Sequence, residues 1–284
     1  MPSRILMMGR QMESLKAIWS KLLAYWQSAM EMVQRYGVSG VDVLVAASLL
    51  TRVPVPLDHE AAAERGAIAS WAFPIVGALI GLAAGCGFYA ATLLGVPLGG
   101  AAALALVIAV ALSGALHEDG LADTADGMGG ATTREKTLEI MRDSRIGAFG
   151  ATALGVALLL RWNGIATLDP PDALAALVVA GAGSRALVSW VMWAYPPARR
   201  EGMSASVGQA PSLAMGIALG LAILFALIVA PAAGLMALAL AFGAVWAFAR
   251  WVGYRLEGVT GDVFGACQQV AEIVMLLTFA AMFT

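Results

Sequence analysis

Ser212-Leu213-Ala214-Met215-Gly216-Ile217-Ala218-Leu219-Gly220-Leu221-Ala222-Ile223-Leu224-Phe225-Ala226-Leu227-Ile228-Val229-Ala230-Pro231 is the stretch that settles the class of fold. It is apolar almost throughout and lies inside a longer segment, Gly202 to Ala249, that contains no Asp, Glu, Lys or Arg. The residues between Arg65 and Glu118 are equally free of charge. One helical membrane crossing takes roughly 20 apolar residues, so each uncharged stretch is about two crossings long. Over all 284 residues, 60% are hydrophobic and 13% charged, against roughly 45 to 50% and about 25% in soluble domains. A water-soluble globule is excluded. The formal charge of −2 argues against a nucleic-acid binder, which would carry a basic excess. Cys86 and Cys267 each stand alone in apolar segments, so neither a disulfide framework nor a cysteine metal site is indicated.

Apolar runs between Gly, Pro and charge breaks predict seven spans, at about 67 to 95, 99 to 116, 146 to 168, 172 to 194, 211 to 230, 232 to 252 and 263 to 284. Lipid cannot satisfy backbone polar groups and the runs lack the two-residue alternation of a barrel, so the spans are helices. The expected fold is an all-α polytopic integral membrane protein. Of 17 basic residues, 15 fall on one face, Arg161 on the other and Arg185 within a span. The positive-inside rule makes the crowded face cytosolic, and with it a long loop at 117 to 145. Residues 1 to 37 form an N-terminal extension. Within it Met12, Leu15, Trp19, Leu22, Trp26, Ala29 and Val33 recur at steps of three and four. This is the pattern of an amphipathic helix at the membrane interface, or of one packed on a partner helix. Val43 to Leu50 is too short to cross and reads as re-entrant or interfacial.

Chemistry concentrates in His117-Glu118-Asp119-Gly120-Leu121-Ala122-Asp123-Thr124-Ala125-Asp126-Gly127. On a helix Asp119, Asp123 and Asp126, at i, i+4 and i+7, share one face. Three like charges there repel, unless a divalent cation holds them or protons remain bound. Mg²⁺ suits them, because it takes oxygen ligands from one or two carboxylates, waters and substrate phosphates. The bland alternative is a solvated acidic helix end. The glycine-rich Gly127-Met128-Gly129-Gly130 could bring backbone N–H groups to phosphate oxygens, although such turns are more often punctuation. Thr132-Thr133-Arg134-Glu135 fits a capping box. Beyond it, Arg142-Asp143-Ser144-Arg145 sets two guanidinium groups beside a carboxylate and a hydroxyl. These arginines suit phosphate oxygens or serve as membrane anchors. Residues 117 to 145 hold seven acids and four bases, so a polyanion would need a cation to bind there. Arg185 could meet a substrate anion or pair with Glu272. Asp262 fits a helix N-cap, and His59 and His117 are each either a base or a polar interface residue.

The block from His117 to Gly127, followed by Glu139-Ile140-Met141-Arg142-Asp143-Ser144-Arg145-Ile146-Gly147, resembles the signature of the adenosylcobinamide-GDP ribazoletransferases, the cobalamin synthases. Leu50-Thr51-Arg52-Val53-Pro54-Val55-Pro56, Phe73-Pro74-Ile75-Val76-Gly77 and Val259-Thr260-Gly261-Asp262-Val263-Phe264-Gly265-Ala266 agree in order, and the likeness spans about residues 40 to 284. The resemblance implies a Mg²⁺-dependent enzyme of the bacterial inner membrane, in which α-ribazole or its 5′-phosphate displaces GMP from adenosylcobinamide-GDP. It implies catalytic roles for Asp119, Asp123, Asp126 and Asp143. Metal ligation would fall to Asp119, Asp123 and Asp126, with Glu118 secondary because it sits about 100° round the helix from Asp119. Substrate contacts would fall to Arg52, Arg142, Ser144, Arg145 and Asp262. Contact with membrane lipid follows from the spans; homo-oligomerisation, or assembly with other enzymes of the pathway, is left open. Two other classes are disfavoured. A CDP-alcohol phosphotransferase pattern is broken where Leu121-Ala122-Asp123 follow Asp119-Gly120. An ion-coupled transporter would carry its acids at mid-membrane.

Overall fold

The computed structural model describes residues 19–21, 37–57, 65–199, 202 and 207–283. The chain divides into two units, Met1–Val38 and Ser39–Thr284. Most of the expected N-terminal helix lies outside the described residues; the described 19–21 are helical. His59 also lies outside them. The second unit runs α1 (Val41–Leu50), a 3-10 turn (Ile68–Ala72) leading into α2 (Phe73–Leu93), α3 (Leu98–Ser113), α4 (Leu116–Gly130), α5 (Arg134–Ile140) and α6 (Ala148–Ala166). It continues with α7 (Pro170–Ala194), α8 (Ser212–Val229), α9 (Pro231–Leu256) and α10 (Gly261–Phe283). No strand occurs among the described residues, whose one bridge joins Pro197 to Val259.

Six of these helices are long and apolar enough to cross a membrane: α2 with its 3-10 turn, and α6 to α10. The seventh expected span is a bent pair, α3 and α4, which meet at 88°. With 16 residues, α3 rises about 24 Å, short of the roughly 30 Å hydrocarbon core. The bend is local chemistry: Gly114 at φ 64° and Ala115 at φ 58° both adopt the left-handed conformation that ends one helix and starts another. Glycine enters that region without a Cβ clash, whereas alanine there costs about 1–2 kcal/mol. Arg52 braces the bend, its N–H donating to Leu112 O at 2.8 Å and its side chain lying over Gly114. The expectation of a long loop at 117 to 145 is therefore corrected. Most of it is helix, α4 and α5, because the acids repeat with the helical period and α4 has bundle surface to cover.

α7 forms the centre of the bundle, with 89% of its apolar window buried against 22% for α8. It meets α2 along a seam of small residues, Gly77 and Gly81 facing Gly181, as helices in lipid pack where their backbones can approach. α10 packs on α4, α7 and α9. α1 is short, as expected, and its first turn holds a buried Asp42 that accepts from Arg65 Nε at 2.5 Å and Trp71 Nε1 at 2.8 Å.

Candidate active site

Because α4 stays helical from Leu116 to Gly130, Asp119, Asp123 and Asp126 do share a face. Asp119 is exposed, Asp123 half-buried and Asp126 buried. The start of α10 crosses this helix at backbone contact: a Cβ on Gly120 would fall 2.6 Å from Asp262 O and 3.1 Å from Gly265 Cα. Only two glycines allow that approach, and it delivers Asp262 to the acidic face. Asp262 Oδ2 accepts from Arg199 Nη2 at 2.7 Å and from Thr260 Oγ1 at 3.0 Å. Burial, and then the charges of Asp119, Asp262 and Asp126, push the Asp123 carboxyl up to about 7. This surface has more negative charge than its neighbours balance, which is the electrostatic condition for a cation. Among the described residues no group of three or more His, Cys, Asp or Glu side chains could hold a metal ion. Mg²⁺ needs no such cage, since one or two carboxylates with water and substrate phosphate complete its shell. Asp119 and Asp123 fit that mode.

Asp126 is engaged differently. Its Oδ2 accepts from Gly147 N at 2.7 Å and its Oδ1 from Gly150 N at 2.8 Å, so it caps the N-terminus of α6 from a neighbouring helix. A carboxylate against those orphan donors and the positive end of the helix dipole is favourable. The bond also ties the turn at 141–147 to α4. On that turn Arg145 pairs with Asp143 at 2.6 Å in solvent, and the pairing holds the Asp143 carboxyl at about 2. Arg142 and Ser144 are exposed. The turn's expected site residues therefore face water, and none makes a hydrogen bond or ion pair to Asp119 or Asp123. Arg134 reaches Leu256 O at 2.8 Å and Ala198 O at 2.6 Å, stapling α5 to the end of α9.

The other side of α4 faces a buried ionic cluster. Arg161 donates to Glu118 Oε1 and Glu272 Oε1, each at 2.7 Å, and Arg185 reaches Glu272 Oε2 at 3.0 Å. Gln269 Nε2 donates to Glu118 Oε1 at 3.2 Å. Two arginines balance two glutamates, which is how charge is tolerated inside a bundle. Arg161, the one basic residue read on the far face, is 2% exposed, and its partners explain why. Arg185 does pair with Glu272, the structural alternative. Glu118, expected as a secondary ligand, is turned into this cluster by its position round the helix. His117 is buried beside it.

The model of the cobalamin-5-phosphate synthase family matches residues 42–280. The chain belongs to that family. Curated relatives named adenosylcobinamide-GDP ribazoletransferase agree. The protein of Mesorhizobium japonicum is 45% identical over 238 residues, 83% of this chain and 91% of its own. That of Bradyrhizobium diazoefficiens is 44% identical over 84% and 93% of the two chains, and that of Shewanella amazonensis 37% over 82% and 92%. No solved structure matches significantly. In this synthase-family chain, sequence reasoning missed Arg199 as a partner of Asp262, having read it only as a topological charge. It also missed Gln268 and Gln269, although two amides and Glu272 in one apolar span were a signal of a buried polar cluster.

Proposed function

We propose that this chain transfers the adenosylcobinamide phosphate of adenosylcobinamide-GDP to α-ribazole or its 5′-phosphate, releasing GMP, at the cytosolic face of a bacterial inner membrane. The observation that carries this is the unbalanced acidic surface of α4, met by Asp262 and Arg199, in a chain whose curated relatives bear that activity's name. Asp119 and Asp123 would hold Mg²⁺, which neutralises nonbridging and departing phosphate oxygens when bound. Arg199 keeps the Asp262 carboxylate fixed and adds a positive charge at the rim. Asp126 positions α4 and the 141–147 turn relative to each other. The exposed guanidinium groups of Arg142 and Arg145 are free to swing toward a diphosphate, Arg145 exchanging Asp143 for phosphate oxygens, which suit a guanidinium fork. Arg52, at the bend, offers a further cation. The 88° bend turns α4 away from the direction of α3, which supports a site at the membrane surface that a nucleotide in water would reach.

The test is release of GMP from adenosylcobinamide-GDP by purified protein in detergent or vesicles, given α-ribazole and Mg²⁺. Turnover that stops with a chelator and returns with Mg²⁺ is expected. Equal turnover of CDP-diacylglycerol with a small alcohol, or no GMP release, would overturn the reading.

A further inference from the structure

We infer that the groove bounded by α4, α6 and α9 holds one acyl chain of a bilayer glycerophospholipid, with the Thr124 hydroxyl donating to the ester carbonyl at the head of that chain. The inference stands apart from the transferase reading, because it concerns the side of α4 turned away from the acids.

The groove has a volume of about 830 Å³, within the range of about 300–1,000 Å³ in which proteins take organic ligands. It is lined by Leu121, Thr124 and Met128 of α4, Val156 of α6, Trp251 of α9 and Ile273 of α10, among others. Met128 lies about 180° round the helix from Asp119, so the groove and the acidic face are on opposite sides of α4. A phosphate held at the acids does not reach into it. The flanking helices are spans that bury only 28% (α6) and 39% (α9) of their apolar windows, and Val156 and Trp251 are exposed. The groove is therefore continuous with surface that hydrocarbon covers, and lipid chains are what lies against it.

A bare hydrocarbon chain would match the apolar walls, but one group asks for more. Thr124 is 2% exposed and its Oγ1 has no hydrogen-bond partner. Other threonines of this chain satisfy their hydroxyls locally: Thr51, Thr137, Thr152 and Thr278 each donate to the carbonyl four residues back, at 2.7–2.9 Å. Thr124 does not, and a buried hydroxyl left unpaired is costly. An acceptor brought in by an otherwise apolar ligand removes that cost, and a glycerol ester is such an acceptor. Its height fits as well. Gly129 lines both the groove and a second pocket, of about 290 Å³, formed with Thr132, Thr133 and Lys136. Thr124 stands about 7.5 Å along the helix from Gly129, comparable with the roughly 5–8 Å of polar layer on one side of a bilayer. A phosphate at that second pocket brings the ester below it level with Thr124.

The experiment strips the full-length protein of lipid in detergent, titrates it with palmitoyl-oleoyl phosphatidylglycerol, and counts retained lipid per chain by native mass spectrometry. A second ligand is the dialkyl ether of the same lipid, which lacks the ester carbonyls. Wild type should retain one phospholipid more tightly than any other, and bind the ester form about two- to tenfold better than the ether. Thr124→Val keeps the shape and removes the hydroxyl, so it should bind the two alike. Ala153→Trp, which fills the groove, should lose the tight lipid. Leu159→Trp, on the exposed surface of α6 outside the lining, should keep it. A folded Ala153→Trp protein that retains the lipid as wild type does, or a wild type indifferent to the ester, overturns the assignment. Displacement of the phospholipid by adenosylcobinamide-GDP would overturn it too, by giving the groove to the substrate. Should Ala153→Trp fail to fold, Thr124→Val with the ester and ether pair decides. Retention is read without turnover, so absence of GMP release would sink the transferase reading and leave this assignment to be judged on its own.

Discussion

Asp119 and Asp123 are the residues on which two accounts of α4 diverge. As Mg²⁺ ligands, each loses a charged oxygen on conversion to Asn, and turnover should fall by at least about 100-fold with the fold intact. As a solvated acidic face, neutralisation relieves repulsion, so stability rises and activity persists. GMP release and thermal unfolding of Asp119→Asn and Asp123→Asn, with and without Mg²⁺, separate them; under the ligand account, Mg²⁺ raises the wild-type Tm and the variants lose that shift. Proton linkage gives a second test. The Asp123 carboxyl titrates at about 7 in the folded protein and at about 3.9 when unfolded. A raised value means that the folded state holds the extra proton, so this contribution to stability is full below about pH 4 and is lost as pH rises through about 7. In Mg²⁺-free buffer, Asp123→Asn should therefore flatten the fall in Tm between those limits. Apparent Mg²⁺ affinity of the wild type should climb over the same interval, because cation and proton compete for one carboxylate.

At the scale of the element, α4 is held in rotation by two anchors on different sides. One is Asp126 on the N-terminus of α6; Asp126→Ala should cost about 0.5–2 kcal/mol, the range for loss of a helix cap. The other is Glu118 on Arg161. Replacing Arg161 with Met leaves Glu118 and Glu272 buried without their shared cation, and a broken buried pair costs about 3–5 kcal/mol. Glu118→Gln should be milder, since an amide oxygen can still accept from Arg161. Thermal unfolding in detergent orders the three variants, and an Arg161→Met protein as stable as wild type would show that the cluster does not hold α4. The acid spacing that makes α4 an active-site candidate is visible in sequence because it is local. Its two anchors were not, because the partners of Asp126 on α6 and of Glu118 on Arg161 lie far along the chain.

For the whole molecule, the distribution of Lys and Arg predicts that α5 faces the cytosol. Thr132 is exposed at the start of that segment, and Cys86, the exposed native thiol, can be changed to Ser. In intact cells, a Thr132→Cys, Cys86→Ser protein should resist an impermeant thiol reagent and become labelled once the membrane is opened. Labelling from outside would invert the topology and place the acidic surface away from a cytosolic nucleotide.

The sequence alone determined the membrane class, the apolar spans to within a few residues, the helical register of Asp119, Asp123 and Asp126, and the family. All of these are written in composition or short-range periodicity, which lipid and the helix enforce without reference to distant residues. Tertiary structure decided the 88° bend at Gly114 and Ala115, the arrival of Asp262 and Arg199, and the turning of Glu118 toward Arg161. Those depend on which backbones approach closely enough to touch, as at Gly120 and Gly265. Such contacts join residues far apart in the chain, and no local period encodes them.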